Sequence, residues 1–261
     1  MLRPRIIPCL LVHKGGLVKT VRFDKPKYVG DPLNAVRIFN EKEVDELMVL
    51  DIDATRERRE PDYTLIRNLA AECRMPLAYG GGVHSVEQVE RLVSLGVEKV
   101  AVSAAAVADP ALVAAAASRV GRQSVVAVLD VRAVGSRWKV FTHNGTRATG
   151  LDAVDLARRL EDAGIGEVVL NSIDRDGQMK GYDLELARRI REAVTVPMTV
   201  LGGAGSLADI GSLVREFGIV GAAAGSLFVF KGVYRAVLIN HPSRADKDKL
   251  VAEAIGRLAG T

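Results

Sequence analysis

Short apolar runs rich in β-branched residues recur along the chain, at residues 5–12, 46–51, 76–79, 99–102, 124–130, 167–170, 197–201 and 219–224. Between them lie stretches whose apolar positions repeat with helical period, as at 63–73, 86–95, 152–163 and 183–193. Ser85, Asp109, Asp152, Asp183 and Ser206 stand where a helix needs an acceptor for its first free N–H groups. Gly96 and Gly164 stand where a helix ends in left-handed backbone. Strands that are apolar throughout, alternating with helices, predict a parallel sheet covered by helices on its outer face. At 261 residues, eight such βα units predict a closed (β/α)8 barrel (a TIM barrel) rather than an open doubly wound sheet.

The pattern also repeats at longer range. MPLAYGGGVHS from Met75 resembles VPMTVLGGAGS from Val196, and EVDELMVLDIDATR from Glu43 resembles GIGEVVLNSIDRDG from Gly164. The halves read as copies about 120 residues apart, each four βα units long. No Pro-rich or Ser-rich linker divides the chain, so residues 1–261 read as one domain, with 231–261 a divergent C-terminal extension.

Composition narrows the function classes. Hydrophobic residues at 48% and charged residues at 26% are the balance of a globular chain. Cys9 and Cys73 both sit in apolar runs and read as buried thiols of a reducing, cytoplasmic compartment. No run of eighteen apolar residues exists, so no membrane span is expected, and MLRPRIIPCLLV lacks the apolar length and cleavage site of a secretory signal. The net charge is only +4, and no basic run with interleaved aromatics points to nucleic acid.

Three sets of residues carry candidate chemistry. Gly80, Gly81 and Gly82 end the third apolar run; Gly202, Gly203 and Gly205 follow the seventh; Gly225 and Ser226 follow the eighth. Such turns leave backbone N–H groups open for phosphate, or serve only as tight βα turns. Two related turns fit a phosphorylated small-molecule ligand with a phosphate at each end. Asp51, Asp130, Asp174 and Asp176 stand at carboxyl ends of strands, where acids and bases of barrels lie, although helix capping or a turn accounts for any one of them equally well. Arg5, Glu46, Lys99 and Glu167 open four otherwise apolar strands at the opposite end. Taken alone, they read as a structural layer of ion pairs. No metal-ligand spacing and no nucleotide-binding lysine loop is present, so no metal or cofactor is expected.

RIIPCL, Lys19, GDP at residues 30–32, LDI, GGG, FTHNG, TGLDAV, SIDRDG, GYDLEL and GGAG occur in order and resemble the cyclase subunit of imidazole glycerol phosphate synthase, over about residues 2–230. The resemblance implies a glutaminase partner on the bottom, amino-terminal face of the barrel. Ammonia would pass a gate of Arg5, Glu46, Lys99 and Glu167 and reach a bisphosphorylated ribulosyl-formimino-aminoimidazole carboxamide ribonucleotide. The resemblance further implies a catalytic role for Asp130, phosphate roles for Gly82, Gly203 and Ser226, and support from Lys19, Asp51 and Asp176. Ser103, Gly177 and Gly225 complete the expected substrate side.

One departure bears on mechanism. Where the family places a second catalytic aspartate, in the first strand, this chain has Leu11. A missing general acid or base costs about 10²–10⁴-fold in rate, and His13 could substitute only if its side chain faced the mouth. Thr20, Ser103 and Asn171 also depart from the usual glycine, asparagine and threonine, and KGVYRAVLIN (231–240) is strand-like where the family runs into its last helix. A kept gate with half an acid–base pair resembles the paralogous branch linked to acetamidino modification of surface-polysaccharide sugars. There a barrel and glutaminase pair supplies ammonia to a separate ATP-dependent amidotransferase. A working histidine-pathway cyclase is the alternative. A phosphosugar isomerase, which needs no charged gate, and a non-enzymatic scaffold are more distant ones.

Overall fold

The computed structural model describes residues 3–256. Eight parallel strands form its centre: β1 (Arg5–His13), β2 (Leu47–Asp51), β3 (Leu77–Gly80), β4 (Lys99–Val102), β5 (Val125–Val134), β6 (Glu167–Ser172), β7 (Met198–Leu201) and β8 (Gly221–Ala224). Each pairs with the next, and β8 returns to β1 through Arg5↔Gly221 and Ile7↔Ala223, which closes the barrel. The helices α1 (Pro32–Glu41), α2 (Tyr63–Glu72), α3 (Val86–Ser94), α4 (Pro110–Val120), α5 (Ala153–Asp162), α6 (Leu184–Ala193), α7 (Leu207–Phe217) and α8 (Arg244–Gly256) follow the strands in turn. The expected (β/α)8 barrel is the observed one.

Strands buried on both faces account for the continuous apolar runs. On β1, Ile6, Leu10 and Val12 face the helices, whereas Ile7, Cys9 and Leu11 face the barrel axis. The axis is packed by a second, smaller cluster that includes Met48, Ala101, Val128, Val169, Leu201 and Ala223. Its alternation with the outer core is the period of two of a strand. Helix starts follow the caps read from the sequence: Ser85 accepts from the Gln88 N–H, and Ser206 from the Asp209 N–H, each within a reciprocal capping box. Gly96 and Gly164 take φ of +100° and +101° just past the ends of α3 and α5.

Two antiparallel hairpins lie outside the apolar pattern of the chain. One, Gly16–Val21 with Asp24–Gly30, extends β1; the other, Arg137–Thr142 with Arg147–Asp152, extends β5. Strands β1 and β5 each open a half of the chain, so the same device recurs in the first unit of each half. The tail forms a small hairpin, Phe230–Lys231 with Ala236–Val237, before α8. That helix docks under the barrel, where Lys247 donates to Asp45 at 2.7 Å and to the Glu43 carbonyl at 2.9 Å; residues 257–261 of the extension lie outside the described residues. Cys9 is buried, but Cys73 is only partly so, because it caps the exposed end of α2. Burial pushes the two thiols up to about 11 and about 12. Among the described residues no helix is long and apolar enough to cross a membrane.

Candidate functional site

The two ends of the barrel carry different chemistry. At the amino-terminal end, Arg5, Glu46, Lys99 and Glu167 converge into one ring. Lys99 donates to Glu46 at 2.7 Å and to Glu167 at 2.8 Å; Arg5 donates to Glu167 at 2.7 Å and also to Glu46. Both carboxylates are almost fully buried (3% and 4% exposed), so each needs its two cations. Burial alone would raise the Glu167 carboxyl, but Arg5 and Lys99 hold it below the usual carboxylate range. The hydroxyl of Thr199 on β7 also donates to Glu167. Nothing in the sequence marked Thr199, since a threonine in MTVL reads as an ordinary β-branched strand residue.

At the carboxyl ends of the strands a central cavity opens. Lys19, Asp51, Gly82, Ser103 and Asp130 all line it, as do Asp176, Gly177, Gly203, Gly225 and Ser226. Leu11 lines it too. Three strands separate β1 from β5 in either direction round the ring, so Leu11 and Asp130 stand on opposite walls. The glycines are sterically fixed. A Cβ on Gly82 (φ +73°) would lie 2.6 Å from the Arg59 carbonyl oxygen, and one on Gly203 (φ +111°) 2.2 Å from that of Gly181. Ser103 and Ser226 each sit at the start of a short helix, Ala104–Ala108 and Ser226–Val229, in the fourth unit of their halves.

The carboxylates of the mouth differ in their duties. Asp51 accepts from the N–H groups of Asp53 and Ala54 at 2.9 and 3.0 Å and so shapes its own loop. Asp176 accepts from the Thr20 hydroxyl at 2.7 Å and the Phe23 N–H at 3.1 Å, clamping the first hairpin to the loop after β6. Burial raises its pKa against those two bonds. Among the described residues Asp130 has a single side-chain donor, Asn171 Nδ2 at 2.9 Å. Burial, with the nearby charge of Asp176, outweighs that bond and pushes Asp130 up to about 7. A carboxyl balanced at that value can take or give a proton near neutral pH. Lys19 is buried, donates to the Cys9 carbonyl, and has no carboxylate within 4 Å among the described residues; burial lowers its pKa.

Two sequence candidates lie elsewhere. Asp174 accepts from the Ala133 N–H at 2.9 Å and does not line the cavity, so it is a turn residue. His13 turns away to Asp53 (Nδ1 to Oδ1, 2.8 Å) and does not face the mouth. Instead His143 and Asn144, at the tip of the second hairpin, reach the cavity, and Asn144 donates to the Ile52 carbonyl at 2.6 Å across it. The Asn144-Gly145 pair is a hairpin signal that could have placed them.

The Asp130 carboxyl gives a stability prediction with a definite sign. Its folded pKa is about 7 against an ordinary 3.8, so between those values the folded chain holds a proton the unfolded chain has lost. Stability from this group therefore falls as pH rises from about 4 to about 7 and levels above. Urea midpoints should show Asp130→Asn gaining on the parent protein over that interval. A constant difference from pH 4 to 8 would contradict the raised pKa.

Fold and site define a (β/α)8 barrel whose open cavity lies at the carboxyl ends of its strands, the end at which such barrels hold their ligands. A family model described as "Histidine biosynthesis protein" matches residues 5–235. The chain is 58% identical to a Leptospira interrogans protein provisionally named imidazole glycerol phosphate synthase subunit HisF, over 96% of this chain and 99% of that one. It is 57% identical to a Vibrio vulnificus protein provisionally named subunit hisF3, over 95% and 96%. It is 53% identical to a Pseudomonas aeruginosa protein provisionally named subunit hisF2, over 93% and 97%. The chain belongs to this family, in its HisF group of imidazole glycerol phosphate synthase cyclase subunits.

Proposed function

We propose that the chain is an ammonia-conducting barrel that works with a glutaminase on its amino-terminal face and serves acetamidino-sugar synthesis for surface polysaccharide, with weakened cyclase chemistry. The contrast between the two ends of the barrel carries this reading. The entrance keeps a complete four-charge ring. The mouth has Leu11 on the wall opposite Asp130, and the two other strand-end carboxylates lining it are engaged in structural hydrogen bonds, Asp51 within its own loop and Asp176 to the first hairpin. Leucine has no proton to give or take. On this reading the ammonia leaves for a separate, ATP-dependent amidotransferase, and the assembly is cytoplasmic. The numbered names hisF2 and hisF3 of two relatives suit a copy kept beside a histidine-pathway one.

A second reading, the histidine-pathway cyclase itself, is favoured by Asp130, which is balanced near neutrality. One experiment separates the two. The chain, co-purified with its cognate glutaminase, is expected to hold that partner and to turn over little of the family's ribonucleotide substrate. Full cyclase turnover, or rescue of a histidine auxotroph, would replace the first reading by the second.

The phosphate roles of Gly82 with Ser103 and of Gly203 with Ser226 belong to both readings. Inorganic phosphate should bind saturably at the mouth. Gly203→Ala should weaken it more than tenfold, because its Cβ has no room beside the Gly181 carbonyl. Unchanged binding by a folded Gly203→Ala protein would remove that site from the proposal.

A further inference from the structure

The tail between β8 and α8 carries a hairpin with a bare apolar tip. Phe230–Lys231 pairs with Ala236–Val237, and the Arg235 N–H closes the turn on the Gly232 carbonyl at 3.1 Å, which puts Val233 and Tyr234 at the tip. They are 95% and 96% exposed, more than any other large apolar side chain among the described residues. Turn tips ordinarily carry Gly, Asn, Asp, Ser or Pro, which suit the bent backbone; a valine and a tyrosine do not. The base of the hairpin is fixed. The Leu238 and Asn240 N–H groups donate to the Val229 and Phe228 carbonyls at 2.8 and 2.9 Å, and Phe230 is buried. An anchored base under an apolar tip is built for contact.

This hairpin stands at the rim of the mouth. It follows directly on the helix Ser226–Val229, whose first residue lines the cavity. On its other side it meets the first hairpin, whose Phe23 also lines the cavity: Lys27 Nζ lies 3.5 Å from the Arg235 carbonyl oxygen and 5.1 Å from the centre of the Phe230 ring. Tyr28 of the first hairpin and Val237 and Leu238 of the tail are exposed as well, so the two hairpins share the apolar surface. Single apolar residues on a surface are ordinary, whereas a group of them marks a place of contact. The charges around the group are nearly all of one sign. Residues 22–30 and 230–240 hold Arg22, Lys25, Lys27, Lys231 and Arg235 against Asp24 alone.

We propose that the tail hairpin, with the first hairpin beside it, is the docking surface for the protein that accepts the ammonia, and that this protein presents an acidic face with an apolar recess for Val233 and Tyr234. The proposal rests on the reading that ammonia leaves the mouth for a separate acceptor. Neutral ammonia that meets open water near neutral pH is protonated and lost as a nucleophile, so the acceptor has to be seated on the mouth when ammonia emerges. The patch lies at the edge such a protein would cover, and its charge selects an acidic partner. A second copy of this chain would set these like charges against one another. A lipid surface would cover the mouth with nothing able to take the nitrogen. Tyrosine is a frequent energetic anchor of protein interfaces, while charges around it chiefly steer the approach.

The test uses the chain co-purified with its glutaminase, and a purified ATP-dependent sugar amidotransferase of the same organism as probe. Binding is read by calorimetry. Delivery is read by feeding glutamine labelled with ¹⁵N in its side-chain amide, with unlabelled ammonium chloride in excess. The parent pair is expected to bind the probe and to place ¹⁵N in its product. Val233→Ser with Tyr234→Ser should weaken binding at least tenfold. Lys25→Glu with Lys231→Glu should weaken it most at low salt. Melting and glutaminase retention should not change in either double variant, because all four side chains are exposed. Binding and ¹⁵N delivery that survive both double variants overturn the docking surface and leave the ammonia reading standing. A parent pair that neither binds the probe nor delivers ¹⁵N to it sinks the reading and the surface together. Attachment to phosphatidylglycerol vesicles, or dimers in sedimentation, that the serine variant abolishes while probe binding persists would assign the hairpin to lipid or to a second copy, and overturn the proposal.

Discussion

Replacing Glu167 by leucine is expected to cost about 3–5 kcal/mol of stability, the usual consequence of removing one partner from a buried charge cluster. For a chain of this size that is a fall of about 6–20 °C in Tm. The cause is an imbalance of charge. Arg5 and Lys99 would share Glu46 alone, and the Thr199 hydroxyl would lose its acceptor. Removing a cation along with the anion should reverse most of the loss. In Arg5→Met with Glu167→Leu, the Lys99–Glu46 pair at 2.7 Å remains neutral as a unit, and apolar side chains of similar volume often replace buried ion pairs at little cost. A double variant as unstable as the single one would mean that packing, not charge, holds this end of the barrel. The pH dependence has a fixed direction too. Glu167 titrates below the usual carboxylate range when folded, so its stabilisation is present above the unfolded carboxylate pKa. It is lost as pH falls through the lower folded value. The gap between the parent protein and Glu167→Leu should therefore narrow on acidification.

The barrel was legible because its strands are buried twice over. A strand with helices outside and side chains packed along the axis inside must be apolar at every position, and eight such runs survive any reasonable reading of the sequence. The hairpins after β1 and β5 left no such trace. DKPKYVG is exposed over most of its length, so it has no continuous apolar face, and its pairing partner is fixed by the barrel rather than by its own composition. The charged ring was legible for the opposite reason: an ion at the start of an apolar strand stands out against its neighbours, and burial there obliges it to find a partner of opposite sign. Thr199 completes that ring without being charged, and only the closeness of its hydroxyl to Glu167 reveals it. The mouth was half visible. Glycines and aspartates at strand ends announced themselves, whereas the way the Asn171 amide points is a choice made by Asp130. The sequence marked Asn171 only as a departure from threonine.

The same wall-to-wall relation across the mouth decides the last expectation, for Leu11→Asp. Assayed with the family's ribonucleotide substrate and saturating ammonium salt, so that no glutaminase is required, this variant should raise the cyclase rate more than tenfold. A positioned acid or base contributes about 10²–10⁴-fold. The site is suited to receive the carboxylate. Leu11 faces the cavity from the wall opposite Asp130, and it pairs with Val18, the residue before Lys19. Lys19 lines the same cavity and, among the described residues, has only the Cys9 carbonyl as hydrogen-bond partner, so the new carboxylate would gain a buried cation, and the cation a counter-charge. That gain offsets the cost of placing a polar group in a half-buried position, about 1–3 kcal/mol. Leu11→Asn is the control, with nearly the same shape and no proton to exchange, and it should leave the rate where it is. Equal increases in both variants would assign the effect to polarity and not to proton transfer. No increase in either would mean that the differences at Thr20, Ser103 and Asn171 have refitted the mouth to another acceptor, and cyclase chemistry would then be lost from this chain for more than want of one carboxylate.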